Sequence, residues 1–444
     1  MRGALAAVAV VFAGAALSGQ AYAAGGVGTY TFDPDAQSIA GEDISAEAAE
    51  LKPDVVYKSA ISGKQKLYYR LNLDAKANAY VSAVVVPKGG GKVTYGDGVT
   101  VSIRDSSDDE CSSQNALFGS AQYPRPIAAY ASRVVSEDSL CQEAGTYYLL
   151  VERESKETSD QGEWDLELRY VSEPELAHAS SGPTEAPTVW PSASPPPPTR
   201  AEDNTRHGGA GYYDATSLES GEWKDRIEPG QTLFYRIPVD WGQQIFATAG
   251  LSNSTSAKNP YVSSALAVSL DNPAMGHVDE VSPMSYAGKP SSVSFDPLPP
   301  VAYENRYDSS DDVSAMRFAG WYYLSVSLSP AVAEAYGAKP ITLTLQISVK
   351  GEAGKTPYKG DAGIFAVTQG DKDAAREGQS GAQAAAGADN GTMKLVAAAG
   401  IGAGTVLVLW MGVWTLTARR RAAAVPAAPT GGGQYPYGGP PQAW

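Results

Sequence analysis

The chain has 444 residues, room for two or three domains, and 43 % of them are hydrophobic, with 46 Gly and 30 Pro that favour turns and linkers over long helices. Its 34 Lys and Arg face 49 Asp and Glu, a formal net charge of −15. Such a surface repels nucleic acid, whose phosphates need clustered cations, so no nucleic-acid partner is expected. The acidity reads as solubility, with attraction of divalent cations or of a basic partner as the alternative.

At the N-terminus Arg2 precedes the uncharged run Gly3 to Leu17, and Ala21-Tyr22-Ala23 supplies the small residues a signal peptidase needs. The pattern predicts a signal peptide over 1–23, cleaved before Ala24, and an N-terminal extension over 24–44. A first β-sandwich is predicted over 45–173. Within it Leu67, Tyr69, Leu71 and Leu73 share one face of a strand by their period of two. Cys111 and Cys141 are the only two cysteines, and in an exported chain a lone pair predicts a disulfide.

Residues 174–211 carry Pro183, Pro187, Pro191 and the run Pro195 to Pro198, the composition of a stiff linker. A second sandwich is predicted over 212–350 because the chain repeats itself there. Leu67-Tyr68-Tyr69-Arg70-Leu71-Asn72-Leu73-Asp74 returns as Leu233-Phe234-Tyr235-Arg236-Ile237-Pro238-Val239-Asp240. Leu51, Lys58, Ile61 and Gly63 are echoed by Leu218, Lys224, Ile227 and Gly230, and Ala144 to Leu149 by Ala319 to Leu324. Each copy closes on an alternating strand, Trp164 to Tyr170 and Ile341 to Ile347. Pro238 lacks an N–H, so it belongs at an edge or facing solvent. The duplicated Tyr147 and Tyr322 lie at core parity and read as packing rather than as a glycan platform.

Residues 351–392, rich in Gly, Ala, Gln and Asp, predict a flexible stalk. Residues 395–418 hold no charge and, as a helix, would measure roughly 36 Å against a bilayer core of about 30 Å. Lys394 precedes them and Arg419, Arg420 and Arg421 follow as a stop-transfer signal. The expectation is one C-terminal transmembrane helix, a cytoplasmic tail over 419–444, and the N-terminal bulk outside the cell.

Catalytic motifs are missing. The three histidines, His178, His207 and His277, stand in no ligand-spaced cluster such as HExxH, and His277 reads as a loop residue. There is no GxSxG or SxxK, and Gly89-Gly90-Gly91-Lys92 lacks the spacing of a P-loop. No catalytic residue, cofactor or metal site is assigned. The acidic stretches Asp105 to Glu110 and Asp308 to Asp312 offer oxygens for Ca²⁺ but read as solvated turns, being at non-equivalent places in the repeat.

Leu51 to Gly63 and its echo, Gly-Gln-Thr-Leu-Phe-Tyr-Arg-Ile-Pro-Val-Asp over 230–240 and Ala-Gly-Trp-Tyr-Tyr-Leu over 319–324 resemble bacterial pre-peptidase C-terminal (PPC-like) β-sandwich domains, which are non-catalytic modules. With Asp296-Pro297-Leu298-Pro299-Pro300-Val301-Ala302-Tyr303-Glu304-Asn305-Arg306, the chain is similar to actinobacterial membrane-anchored secreted proteins, a family with no established activity. Some relatives of that kind place a von Willebrand factor A domain ahead of the two sandwiches, which residues 24–44 leave no room for. The resemblance implies a mainly β fold, two tandem antiparallel, jelly-roll-like sandwiches plus one transmembrane helix. The expected function is a non-enzymatic cell-surface protein whose modules bind an extracellular protein or polysaccharide. An accessory subunit of an envelope or secretion assembly is the first alternative, with Trp410, Trp414, Gly400, Gly402 and Gly404 available for helix packing. A hydrolase with an unfamiliar site is the second.

Overall fold

The computed structural model of the protein describes residues 29–135, 141–177, 185–196, 204–256 and 260–387. The first sandwich contains β1 (Gln37–Ser38), β2 (Val56–Ile61), β3 (Lys66–Leu73), β4 (Ala79–Val86), β5 (Gly98–Arg104), β6 (Glu110–Leu117), β7 (Ile127–Arg133), β8 (Gly145–Glu154) and β9 (Trp164–Ser172). One of its sheets runs β1-β2-β9-β4-β7 and the other β3-β8-β5-β6. The second contains β10 (Thr216–Ser217), β11 (Gly221–Ile227), β12 (Thr232–Val239), β13 (Gln244–Leu251), β14 (Val262–Asp271), β15 (His277–Tyr286), β16 (Ser291–Ser294), β17 (Gly320–Leu328) and β18 (Ile341–Lys350). Its sheets run β11-β18-β13-β16 and β10-β12-β17-β14-β15.

The two orders superimpose strand for strand, β2 on β11 through β9 on β18. The registers agree as well: Tyr69 lies opposite Leu149 and Tyr235 opposite Leu324. Leu51 and Leu218 each donate their N–H to the carbonyl of the repeated arginine, Arg70 or Arg236. Pro238 lies past the two-residue β10, where β12 has no second strand to bond. Tyr147 donates its hydroxyl to the Glu143 carbonyl at 2.7 Å, and Tyr322 to that of Phe318 at 2.8 Å. Both rings are buried, so the duplicated tyrosines pack and pin the chain entering the strand, in the manner of a tyrosine corner.

Each sandwich has its own core, Leu67, Tyr69, Leu71, Val101, Leu149 and Trp164 in the first, Leu233, Tyr235, Ile237, Leu324, Leu343 and Leu345 in the second. Strand β4 departs from simple alternation, because all eight residues are buried. Val81, Ala83 and Val85 enter the first core, while Tyr80, Val84 and Val86 meet the second sandwich. The sheet holding β4 therefore packs on both faces.

Three expectations change. The helices α1 (Asp311–Ala315), α2 (Ala331–Tyr336) and α3 (Gln369–Glu377) hold five, six and nine residues, and no helix among the described residues is long and apolar enough to cross a membrane. A span needs about 20 apolar residues. The fold class is thus corrected to mainly β, several sheets in sandwich arrangement; the predicted single C-terminal transmembrane helix, and with it the single-pass cell-membrane location, is not supported. The segment predicted to form it, 395–418, the stop-transfer residues Arg419, Arg420 and Arg421, and the signal peptide 1–23 lie outside the described residues.

The second change concerns 351–387, which is not a flexible stalk. Tyr358 and Phe365 are buried, and α3 starts on a capping box made by Thr368 and Asp371. The two aromatic anchors are joined by backbone bonds from Ser217 N–H to the Gln379 carbonyl and from Lys359 N–H to the Glu175 carbonyl, which together hold a Gly- and Ala-rich strap. The third concerns the segments on either side of the first sandwich. Tyr30 is buried against Phe234, and the proline-rich segment lies on the second sandwich, Trp190 donating to the Pro297 carbonyl at 3.1 Å and Gln244 to that of Pro191 at 2.8 Å.

Candidate functional site

The outer face of the sheet holding β4 stacks on the outer face of the sheet holding β12 and β17. Tyr80 meets Phe318 edge-on at 5.0 Å between ring centroids, and Phe318 stacks on Phe365 at 4.4 Å. At the rim of this aromatic layer Glu173 and Arg306 form an ion pair at 2.8 Å, both side chains almost wholly buried. Tyr80, Tyr358 and Asn78 also donate to the Glu173 carboxylate, so the buried charge is fully coordinated. Burial alone would raise that carboxyl; the Arg306 guanidinium and the hydrogen bonds outweigh it and hold the group below the ordinary glutamate value. Further along, Arg125 pairs with Glu280 at 3.0 Å and Tyr123 donates to the Ser327 carbonyl at 2.9 Å. The two sandwiches are joined by specific bonds as well as by apolar contact.

Away from the aromatic layer the facing sheets part and leave a polar cleft. Its first wall is β6 and β7. Strand β7 is a sheet edge, and side chains of β6 satisfy its open donors: Tyr130 N–H donates to Gln114 Oε1 at 3.2 Å and Ser132 N–H to Ser112 Oγ at 2.7 Å. The second wall is β14, β15 and the turn of α1. One cavity of about 140 Å³ is lined by Ser112, Gln114, Tyr130 and Ser132 from the first sandwich and by His277 and Arg317, among others, from the second. A neighbouring cavity of about 110 Å³ is bounded by Arg125, Tyr212, Ser269, Asp271 and Glu280, and again by His277.

His277 opens β15 rather than lying in a loop. Its Nδ1 is 3.6 Å from Asp271 Oδ1 and 3.4 Å from Ser269 Oγ, while Asp271 Oδ2 accepts from Tyr212 at 2.7 Å. Burial on its own would lower the imidazole pKa; Asp271, with Glu280 and Asp279 behind it, outweighs burial and raises it. Serine, histidine and aspartate thus meet, but not as a nucleophile and its base. A relay needs the serine on one ring nitrogen and the carboxylate on the other, and here both approach the same one. The arrangement orients a ring and favours its protonated form.

The other residues singled out in the sequence lie elsewhere. Cys111 and Cys141 form the expected disulfide, with Cα atoms 5.6 Å apart, tying the start of β6 to the approach to β8. His207 has an exposed ring with Nδ1 3.0 Å from Asp225, and His178 lies outside the described residues, as do Trp410 and Trp414. Asp105 closes a turn by accepting from the N–H groups of Ser107 and Asp109, and Arg104 pairs with Glu110 at 3.1 Å. Asp308 likewise accepts from the Ser310 N–H. No group of three or more His, Cys, Asp or Glu among the described residues could hold a metal ion. Arg317, Gln114 and Ser132 carried no sequence signal. Continuous burial of β4 was hinted at by the run Ala79-Tyr80-Val81-Ser82-Ala83-Val84-Val85-Val86, which scarcely alternates.

No family model and no curated protein matches the chain. Among solved structures it overlaps the N-terminal CBM22-1–CBM22-2 tandem domain of Paenibacillus barcinonensis Xyn10C at 12 % identity, covering 67 % of this chain and 91 % of that one, with a TM-score of 0.21. The CUB1-EGF-CUB2 domain of human MASP-1/3 overlaps at 9 % identity over 66 % and 99 %, with a TM-score of 0.15. The ANX1 ectodomain from Arabidopsis thaliana does so at 8 % over 67 % and 82 %, with a TM-score of 0.18. At such TM-scores these overlaps add no argument to the sandwich arrangement described above.

Proposed function

We propose that the protein is a non-enzymatic binding protein whose two sandwiches act as one block and receive a small hydroxyl-rich ligand, such as a sugar unit of a polysaccharide, in the cleft around His277. The observation that carries this reading is the make-up of the two cavities: both sandwiches supply walls to each, and His277 lines both. Serine hydroxyls, an amide and a phenol at close quarters suit a ligand that exchanges many hydrogen bonds, and Leu117, Ile127 and Val268 give the smaller cavity an apolar side. The shared imidazole nitrogen at Ser269 and Asp271 favours binding over acyl transfer. The resemblance of the repeat to PPC-like modules supports the same view, and the disulfide suits an oxidising environment.

The test is isothermal titration of the full chain against a panel of neutral and acidic saccharides. Ser132→Trp, which fills the larger cavity from the first sandwich, should weaken any binding at least tenfold while leaving the melting temperature within a few degrees. Binding that ignores this substitution, or no binding across the panel, would remove the cleft from consideration.

A further inference from the structure

The cleft holds one cation whose hydrogen-bonding capacity the fold leaves largely unused, although Tyr130, Tyr80 and Glu173 lie near enough to favour its charge. Arg317 stands just after α1, and its Nε donates to the Ser314 carbonyl. Its two terminal nitrogens make no hydrogen bond or ion pair among the described residues, and the residue lines the larger cavity. Three other arginines drawn into the molecule are committed, and the two buried ones that keep unbonded nitrogens, Arg133 and Arg236, line neither cavity. Arg125 bonds the Phe118 and Ala121 carbonyls and Glu280; Arg153 bonds the carbonyls of Ile61, Gly162 and Asp160; Arg306 bonds Glu173 and the Tyr303 carbonyl. A half-buried guanidinium with an open fork is costly to desolvate unless something planar and anionic meets it. In a chain of formal net charge −15 an anion finds few such places.

From this open fork, with His277 lining the same cavity, we infer that the cleft recognises the carboxylate of an acidic sugar, a uronic acid. The inference rests on the binding reading above and names the ligand class of that site. The carboxylate accepts two parallel hydrogen bonds from the Arg317 fork, as carboxylates commonly do. His277, whose Nδ1 lies 3.6 Å from Asp271 Oδ1, adds an oriented imidazole to the same cavity. Asp311 also lines the cavity, and a carboxylate there opposes a bare anion but accepts from a sugar hydroxyl. Gln114, Tyr130 and Ser132 supply further hydroxyl and amide partners. A cation and a carboxylate lining one cavity therefore favour a hydroxy acid over either a neutral sugar or an inorganic oxyanion.

The experiment titrates the full chain, and its Arg317→Gln and Arg317→Lys variants, with D-glucuronate, D-galacturonate, D-glucose and sulfate, by calorimetry or saturation-transfer NMR. At least one uronate should bind the wild type ten or more times more tightly than glucose or sulfate. R317Q should lose at least tenfold in uronate affinity and leave glucose unchanged. R317K, which keeps the charge but not the fork and disturbs the fold less, should fall between. Near-UV circular dichroism checks that each variant is folded. If R317Q and R317K bind uronates like the wild type, or if sulfate binds as tightly as a uronate and displaces it, the carboxylate inference is overturned. Glucose binding equal to that of the uronates overturns it too, yet leaves the cleft as a sugar site. A wild type that takes up none of the saccharides ends both readings.

Discussion

Glu167 shows what a single side chain can contribute to the pH behaviour of the whole. It lies on β9, opposite Val84 of β4 and Lys58 of β2, and is 2 % exposed. Burial raises its pKa to about 7, against slight opposing effects of Tyr30, Arg169 and Lys58. The unfolded chain releases this proton near the ordinary value of 4.5. Between those limits the native state binds more protons than the unfolded one, so stability falls as pH rises through the interval and is lowest, as far as this group is concerned, above it. The full effect is about 3 kcal/mol. Urea unfolding of Glu167→Gln should show a much flatter dependence between pH 4.5 and 7 and greater stability than the wild type at pH 8. An unchanged slope would mean that the carboxyl reaches water. Arg317 belongs to the same scale: nothing in its neighbourhood in sequence distinguishes it from a surface arginine, and only its place in the cleft with two unbonded nitrogens marks it out.

Among the elements, the duplicated strands behave alike because the same side-chain pattern meets the same register. Tyr147 and Tyr322 provide a controlled comparison, since each spends its hydroxyl on the carbonyl four residues back. Tyr322→Phe leaves the ring in place and orphans one buried carbonyl, which costs about 1 kcal/mol; Tyr147→Phe should cost less, because Glu143 is exposed and its carbonyl can turn to water. A larger loss at Tyr322 than at Tyr147, measured by denaturant midpoints, would support this difference, and a negligible loss at both would reduce the corners to packing alone. The strap over 351–384 is the element whose order was least visible in the sequence. Its Gly, Ala, Gln and Asp content resembles that of a linker, and two residues, Tyr358 and Phe365, hold it in the aromatic layer. Composition averages over a segment, whereas packing depends on where its few large side chains fall.

At the scale of the molecule, the Glu173–Arg306 pair decides whether two sandwiches behave as one. The partners are 133 residues apart and come from opposite sides of the interface. Arg306→Ala would strand a carboxylate amid three other donors, at a cost of about 3–5 kcal/mol. Hydrogen exchange should then report faster opening of β4 and of the strap around Phe365, with β3 and β8, at the far end of the other sheet, little changed. If protection were lost evenly over both sandwiches, the pair would be a determinant of the whole fold rather than of docking.

The sequence by itself determined the strands, their alternation, the duplication and the disulfide, because each is written in near neighbours or in a repeat of them: a period of two places Leu67, Tyr69 and Leu71 on one face whatever lies beyond. Only the tertiary structure decided what the opposite face of β4 would meet, and that Gln114, Ser132, His277 and Arg317 would surround one cavity. Those residues come from strands and turns up to two hundred positions apart, and no local pattern encodes which sheet edges will face one another. Burial of a second face and the opening of a cleft are properties of docking, fixed by the shapes of two finished sandwiches.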